Sequence, residues 1–502
     1  MRGKIVGLYA ASLLALASGG AQAIQTPAGA EADSLKVSES GVGHMLIVPY
    51  FTTQGGNAML LSLINTDDAN GKAVKLRFRG VPNADIVYDL HVFLAPGDMW
   101  TANVSQNAEG RSYLTTTDGS CTKPEKSKVN DTPFQTERLD PKVTDAQRAN
   151  FTREGYIEVI TMADVPVSQT GISPLIALKD GKSVCADTAA NTSWSAMDRD
   201  LADVAAYAAH GLTPPTTGLA ANWTLMNVPK ALSWSGAAMA LEARKDGVPA
   251  KGNLAYFPQT SDGMPGLGRF SADPLFAGER PIVWPVMYDL PDLSTPYYVG
   301  ASSAAVQVNA IAAGLEARSV INEYWTSSVI QAKTDWLLSM PTRRFAVGIN
   351  YAEADASKKA VFNPDVSEHF SKEKTRVTGD ALCLVDPLFV ARNRESYAPK
   401  DLVVVGGLRL AVFCGVTSVL TFKGPHQGGA PLEVSDVLSA RTAINQGEGP
   451  SADGWAKVGL TRSSNVRIPV IGSAFVSANN PNVAPGTAGN FGVTWPHRLL
   501  KN

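Results

Sequence analysis

The sequence predicts a mainly β protein: two β-sandwich-like, immunoglobulin-like halves joined by a Pro-rich, partly helical middle segment. Three observations carry this expectation. Short runs along the chain alternate apolar and polar residues with a period of two. The runs end at Gly, Pro, Asn or Asp, and 44 Gly and 31 Pro in 502 residues exceed the needs of a helical bundle. Hydrophobic residues reach 44% and charged ones only 18%, which gives enough apolar surface for cores and excludes a disordered chain.

The first element is a targeting signature. Arg2 and Lys4 precede an apolar run from Ile5 to Ala17, and Ala21-Gln22-Ala23 follows with small residues. Residues 1–23 therefore read as a signal peptide, which places the mature chain outside the cytoplasm.

Strands come next. In Lys72–Arg79, Val74, Leu76 and Phe78 share one face, and Lys75, Arg77 and Arg79 share the other. The cationic row reads as a solvated face, with pairing to acidic rows of another copy as the rival. Tyr88, Leu90, Val92 and Leu94 repeat the alternation, and His91 falls on the polar side. Met59–Ile64, Gly155–Met162 and Asn222–Val228 are further strands, and Asp198–His210 is an Ala-rich short helix.

Leu267 to Pro296 carries Pro274, Pro281, Pro285, Pro291 and Pro296 and reads as irregular surface. Ser303–Tyr324 favours helix. Strands resume at Asp335–Met340, Arg344–Asn350, Cys383–Asn393, Leu408–Phe422, Trp455–Leu460 and Val470–Val476. The apolar stretch Leu402–Phe422 approaches membrane length. Arg409 would be costly in a bilayer, and Gly406-Gly407 fits a turn, so two buried strands are expected. The resulting division is signal peptide 1–23, first sandwich-like domain 24–250, connecting segment 251–330 and second sandwich-like domain 331–502.

Cys121, Cys185, Cys383 and Cys414 are an even set in an exported chain, which indicates disulfides. Four cysteines permit three connectivities; the simplest is local, Cys121 with Cys185 and Cys383 with Cys414. A metal site is the rival, without CxxC spacing or clustered His to support it.

No HExxH, GxSxG, GxxxxGK[ST] or strand-linked GxGxxG pattern occurs. Six scattered histidines lack ligand spacing, and Glu368-His369 with Glu373 resembles a catalytic cluster only superficially. No resident cofactor is implied. Calcium is the one candidate metal: Asp67, Asp68 and Asn70 put oxygen ligands into one loop before Gly71. Asp and Asn also stabilise plain turns, which is the stronger reading. Trp100, Trp223, Trp234, Trp325 and Trp336 offer a sugar-stacking platform or, more simply, core packing. Lys+Arg 44 against Asp+Glu 46 leaves net charge -2, without a footprint for nucleic acid.

Several motifs in order resemble one group of proteins. They include Pro49-Tyr50-Phe51-Thr52, Asn65-Thr66-Asp67, Leu94-Ala95-Pro96-Gly97-Asp98-Met99-Trp100, Ser120-Cys121-Thr122 and Thr152-Arg153-Glu154-Gly155-Tyr156-Ile157-Glu158. Ser319-Val320-Ile321-Asn322-Glu323-Tyr324, Thr334-Asp335-Trp336, Pro341-Thr342-Arg343-Arg344-Phe345, Ile468-Pro469-Val470-Ile471-Gly472 and His497-Arg498 continue the match. With these the chain resembles a largely uncharacterised family of secreted Gram-negative cell-surface proteins. The resemblance implies a cell-surface location and a likeness to proteins that build surface layers (S-layers), with no catalytic residues to carry over.

Two functional classes follow. The first is a non-enzymatic structural protein of the cell exterior. It would self-assemble into a surface layer or attach to an outer-membrane-associated coat, with itself and outer-membrane surface components as partners. The second is a secreted carbohydrate-binding protein or hydrolase acting on extracellular polymer.

Overall fold

The structure, a computed structural model, describes residues 28–199, 204–256 and 291–501, apart from 352, 367–368, 379–380, 385–387, 393–412, 425–431, 443, 449, 461–465 and 485–488. The expected signal peptide, most of the Pro-rich stretch and the expected strand Leu402–Val405 lie outside these residues. Of the described residues 45% are in strands and 13% in helices, arranged as several sheets without a barrel.

The first half contributes β1 (Ser34–Val37), β2 (Met45–Thr52), β3 (Asn57–Asn65), β4 (Asn70–Gly80), β5 (Ile86–Leu94), β6 (Met99–Gln106) and β7 (Ser112–Thr115). It continues through β8 (Cys121–Lys123), β9 (Glu154–Pro166), β10 (Leu219–Asn227), β11 (Leu232–Ala237), β12 (Met239–Lys245) and β13 (Val248–Pro249). An 8-stranded sheet has the order β1-β12-β2-β9-β4-β5-β8, with β13 on β12, and a 5-stranded sheet has the order β11-β10-β3-β6-β7. The period-two pattern sets the register: Val74, Leu76 and Phe78 of β4 lie opposite Val92, Leu90 and Tyr88 of β5. These residues, with Ile157 and Val159 of β9, face Leu61, Leu63, Trp100, Trp223 and Leu225 of the smaller sheet across one buried core. Gly155 lets β9 approach β4, because a Cβ there would sit 1.7 Å from the Arg79 carbonyl oxygen.

The other face of the 8-stranded sheet is covered as well. The helix Ala304–Leu315 lays Val308, Ile311 and Leu315 onto it beside Tyr297, Phe345 and Val416. Ser303 caps this helix by accepting from the Val306 N–H at 3.3 Å. Farther along, Leu175, Trp194, Tyr207 and Tyr256 cover Phe93 and Met162. The expectation of a wet row is therefore corrected: Lys75, Arg77 and Arg79 are buried, and so is His91. Alternation identified a polar face, and what meets that face is protein rather than water.

The second half contributes β14 (Glu316–Ala317), β15 (Ser319–Trp325), β16 (Lys333–Ser339), β17 (Val347–Ile349), β18 (Ala360–Phe362), β19 (Thr375–Thr378), β20 (Ala381–Leu384) and β21 (Leu388–Arg392). Then come β22 (Phe413–Cys414), β23 (Thr417–Lys423), β24 (Ile444–Glu448), β25 (Asp453–Gly459), β26 (Ile468–Pro469), β27 (Ser473–Asn479), β28 (Asn490–Pro496) and β29 (Arg498–Leu500). A 4-stranded sheet, β21-β25-β15-β29, and a 5-stranded sheet, β24-β23-β16-β27-β28, are the larger units. Val320, Tyr324 and Val458 of the first meet Trp336, Leu338 and Phe422 of the second in another core. Alternation sends Leu337 the opposite way, and with Val419 and Phe475 it enters the core of the first half. The sheet holding β16 is thus buried on both faces and ties the two cores together.

Two expectations for local structure need correction. Helix ends at Leu315, and Ser319–Trp325 is strand, because the alternation of Val320, Asn322 and Tyr324 inward outweighs local helix preference. Arg343–Ala346 is a short helical turn, and strand begins only at Val347. Helices Ser193–Arg199 and Val204–Ala209 occupy most of the expected Ala-rich helix.

Candidate functional site

The candidate calcium loop is engaged internally. Asp67 Oδ1 accepts from the Ala69 and Asn70 N–H groups at 2.9 and 3.0 Å, and Oδ2 pairs with Lys72 Nζ at 2.8 Å. Lys72 also meets Asp164 at 2.6 Å and is wholly buried. Hydrogen bonds from Lys72 and Asn70 outweigh desolvation and hold the Asp67 carboxyl below its usual range. Asn70 donates its side-chain amide to Asp67 at 3.0 Å, while Asp68 makes no part of this knot. The Lys72 ammonium supplies a positive charge beside the Asp67 carboxylate. Among the described residues no group of three His, Cys, Asp or Glu could hold a metal ion.

The cysteines pair as the local arrangement requires, Cys121 with Cys185 and Cys383 with Cys414. The second bridge joins directly opposed residues of β20 and β22. Peptide mapping without reduction should recover these two pairs. Replacing either pair by serines should cost about 2–4 kcal/mol in urea unfolding, since each bridge closes a long loop in the unfolded chain.

Tryptophans fill cores rather than form a platform. Trp100, Trp223, Trp234 and Trp336 are each exposed by 2% or less, and half-buried Trp325 meets Trp495 edge-on at 4.9 Å. Glu368 lies outside the described residues; His369 Nδ1 lies 2.9 Å from the Arg467 carbonyl, and Glu373 accepts from Ser371. His369 and Glu373 thus have separate partners.

What the fold does assemble is a buried ionic seam between the halves. Arg79 of β4 pairs with Glu158 of β9 at 2.8 Å and with Asp292 at 3.4 Å, and Arg344 reaches the same two carboxylates. The Tyr156 hydroxyl lies 3.1 Å from Glu158 and 3.3 Å from the Pro341 carbonyl. Ser294 donates its backbone N–H to Asp292 at 2.8 Å. Burial pushes the Asp292 carboxyl up, but Arg344, Arg79 and Arg77 outweigh it and hold it below the usual carboxylate range. Beside the seam, Asp89 pairs with Lys75 at 2.7 Å and Arg77 at 3.4 Å.

Arg343 completes the lock without a carboxylate among its described partners. Its guanidinium donates to the carbonyls of Leu382 (2.7 Å), Pro82 (3.2 Å) and Gly415. It therefore holds the two strands of the Cys383–Cys414 bridge against the first half. Burial lowers its pKa to about 9.

A second junction centres on Glu154. Gln54 and the Arg441 N–H donate to Oε1 at 2.8 and 2.9 Å, and Tyr50 donates to Oε2 at 3.0 Å. Burial raises this carboxyl to about 6. Asp335 accepts from the Val437 and Leu438 N–H groups at 3.0 and 2.9 Å, and Asn57 donates to the Leu438 carbonyl at 2.7 Å. The 437–441 loop is thereby seated in the first half.

Sequence reading missed the seam, although traces of it were present. Glu158 interrupts an otherwise apolar strand, and Arg343-Arg344 is a cationic pair beside apolar residues. Such charges on a strand that must be covered imply a buried partner. Asp292 had no signal, since Pro-rich text gives no hint of what it will face.

Among the described residues no helix is long and apolar enough to cross a membrane. Comparison of the chain with protein-family models, with curated proteins and with solved structures finds no match.

Proposed function

We propose that this chain is a non-enzymatic structural protein of the bacterial cell exterior, self-assembling into, or attached to, a surface layer or outer-membrane-associated coat. In this reading each half is an immunoglobulin-like sandwich module, and the modules are fused into one unit. The observation that carries the reading is the interlocking of the halves. A shared core, a buried ionic seam and seated loops oppose the hinge motions by which two-lobed proteins close on small substrates. A unit of fixed shape is what repeated contacts between copies need, because each weak contact then presents the next in register. Support also comes from the export signature, the two disulfides that staple the halves, and the family resemblance.

The test is envelope fractionation with electron microscopy of the mature protein, with and without calcium, and of a deletion strain. The expected result is protein in the envelope fraction or shed vesicles, ordered sheets or tubes in vitro, and an altered coat on deletion. Protein freely dissolved in periplasm or medium, with an intact coat in the deletion strain, would overturn the reading. Turnover of an envelope polysaccharide would replace it with the hydrolase class.

A further inference from the structure

The outer face of the 5-stranded sheet β11-β10-β3-β6-β7 has an unusual chemistry. Its inner positions, Leu61, Leu63, Trp100, Trp223 and Trp234 among them, are buried, so alternation directs the others outward. Strand β3 then presents Ala, Leu, Ser and Ile; β10 presents Ala, Asn, Thr and Met; β6 presents Met, Thr, Asn and Ser. The edge strands β11 and β7 add Ser, Ser and Ala, and Tyr and Thr. None of these positions is charged. A soluble surface is roughly 25–35% charged, so a face of this size would ordinarily carry about four to six charges.

The face also exposes apolar side chains, one mid-strand in β3 and one at the start of β6. Leu60 is 42% exposed and Met99 50% exposed. Leu60 lies between Thr224 of β10 and Asn103 of β6, and Ile64 lies between Ala220 and Met99. The edges of the sheet are less open. Beside β11, Asn490 of β28 donates to the Lys230 carbonyl at 2.6 Å, and the Trp234 indole donates to Val476 at 2.8 Å. At the other end β7 is only 4 residues long and packs beside the helix Lys126–Asp131. A partner strand would find no long edge to extend, whereas the face is exposed among the described residues.

We propose that this uncharged face is where the chain meets a second copy of itself, face to face about a two-fold axis. The proposal rests on the structural reading and names the surface used. In a two-fold contact each residue near the axis meets its own counterpart, so any charge there faces a like charge. A face without charges removes that repulsion and leaves Leu60 and Met99 to bury each other. Its size fits as well. Five strands at ~4.8 Å spacing and about seven residues at ~3.4 Å rise span roughly 24 by 24 Å. That gives about 600 Å² per copy and about 1,200 Å² for the pair, the lower bound for a specific interface. Such a contact is weak alone and becomes effective when other contacts hold copies together.

Sedimentation of the mature protein over a range of concentrations tests the assignment, with Leu60→Lys and Met99→Glu as variants and Val329→Lys as the control on another surface. The two face variants should weaken self-association at least tenfold, with unchanged urea midpoints, and Val329→Lys should leave it as it was. Asn222→Cys should cross-link between copies, and Val329→Cys should not. Association unaffected by either face variant overturns the face while leaving the structural role standing. A wild-type protein that stays monomeric and does not fractionate with the envelope defeats the structural role itself. Loss of binding to isolated envelope polysaccharide in the face variants, with association intact, would reassign the face to glycan.

Discussion

Asp292→Ala should lower the unfolding free energy by about 3–5 kcal/mol, the usual cost of removing one partner from a buried charge network. Asp292 is fully buried and receives both Arg79 from the 8-stranded sheet and Arg344 from the second half. Without it, two guanidinium groups share Glu158 as their remaining carboxylate among the described partners. Asp292→Asn keeps an oxygen for the Ser294 N–H and loses only the charge, so it should recover a part of the loss. Urea unfolding gives the energy, and limited proteolysis tells whether the halves separate before they unfold. A loss below about 1 kcal/mol for the alanine variant, typical of exposed ion pairs, would mean that the seam is not a lock.

Acid should destabilise the protein from about pH 6.5 downward, above the range in which ordinary carboxylates titrate. Burial lowers His44 and His497 from 6.5 to about 3. His44 Nδ1 accepts from the Ala243 N–H at 3.1 Å. At His497, Nε2 lies 2.9 Å from the Leu337 carbonyl and Nδ1 lies 2.9 Å from the Asn322 amide nitrogen. Both bonds suit the neutral ring, with Nε2 donating and Nδ1 accepting. The unfolded chain takes up these protons near pH 6.5 and the folded one does not. Stability is therefore full above 6.5 and falls as pH drops toward 3. Between pH 6.5 and 4.5 each of these two histidines accounts for roughly 2–3 kcal/mol.

Glu154 works in the other direction. Its folded pKa of about 6 exceeds the ordinary 4.5, so the folded state holds the proton more tightly and gains about 2 kcal/mol as pH falls through that interval. The histidines outweigh it, and buried His91, also held well below 6.5 by desolvation, acts with them, so a net loss is expected from pH 7.5 to 4.5. Glu154→Gln should steepen it by about 2 kcal/mol, and His497→Gln should make it shallower by a similar amount. Urea midpoints at pH 7.5, 6.0 and 4.5 for the three proteins decide the matter. A flat profile in the wild-type protein would show that the rings admit a proton where they sit.

The sequence alone determined the class of structure and much of its local detail. Alternation at Val74, Leu76 and Phe78 and at Leu90 and Val92 placed β4 and β5 and their inward faces, because a strand with one apolar face has one register that buries it. Cysteine spacing pointed to both bridges, since nearby cysteines are the easiest to join. Tertiary structure decided what covers each face. Lys75, Arg77, Arg79 and His91 carry the same pattern whether water or protein lies above them, and it is distant chain that makes them interior: Asp292 at Arg79 and Tyr256 against His91. The same holds for Ser319–Trp325 and for Asp67: one needed neighbouring strands to override local helix preference, the other a lysine brought within 2.8 Å. Periodicity reports which residues share a side of an element. It carries no record of a partner hundreds of residues away, and that partner decides whether a polar side is solvent, salt bridge or interface.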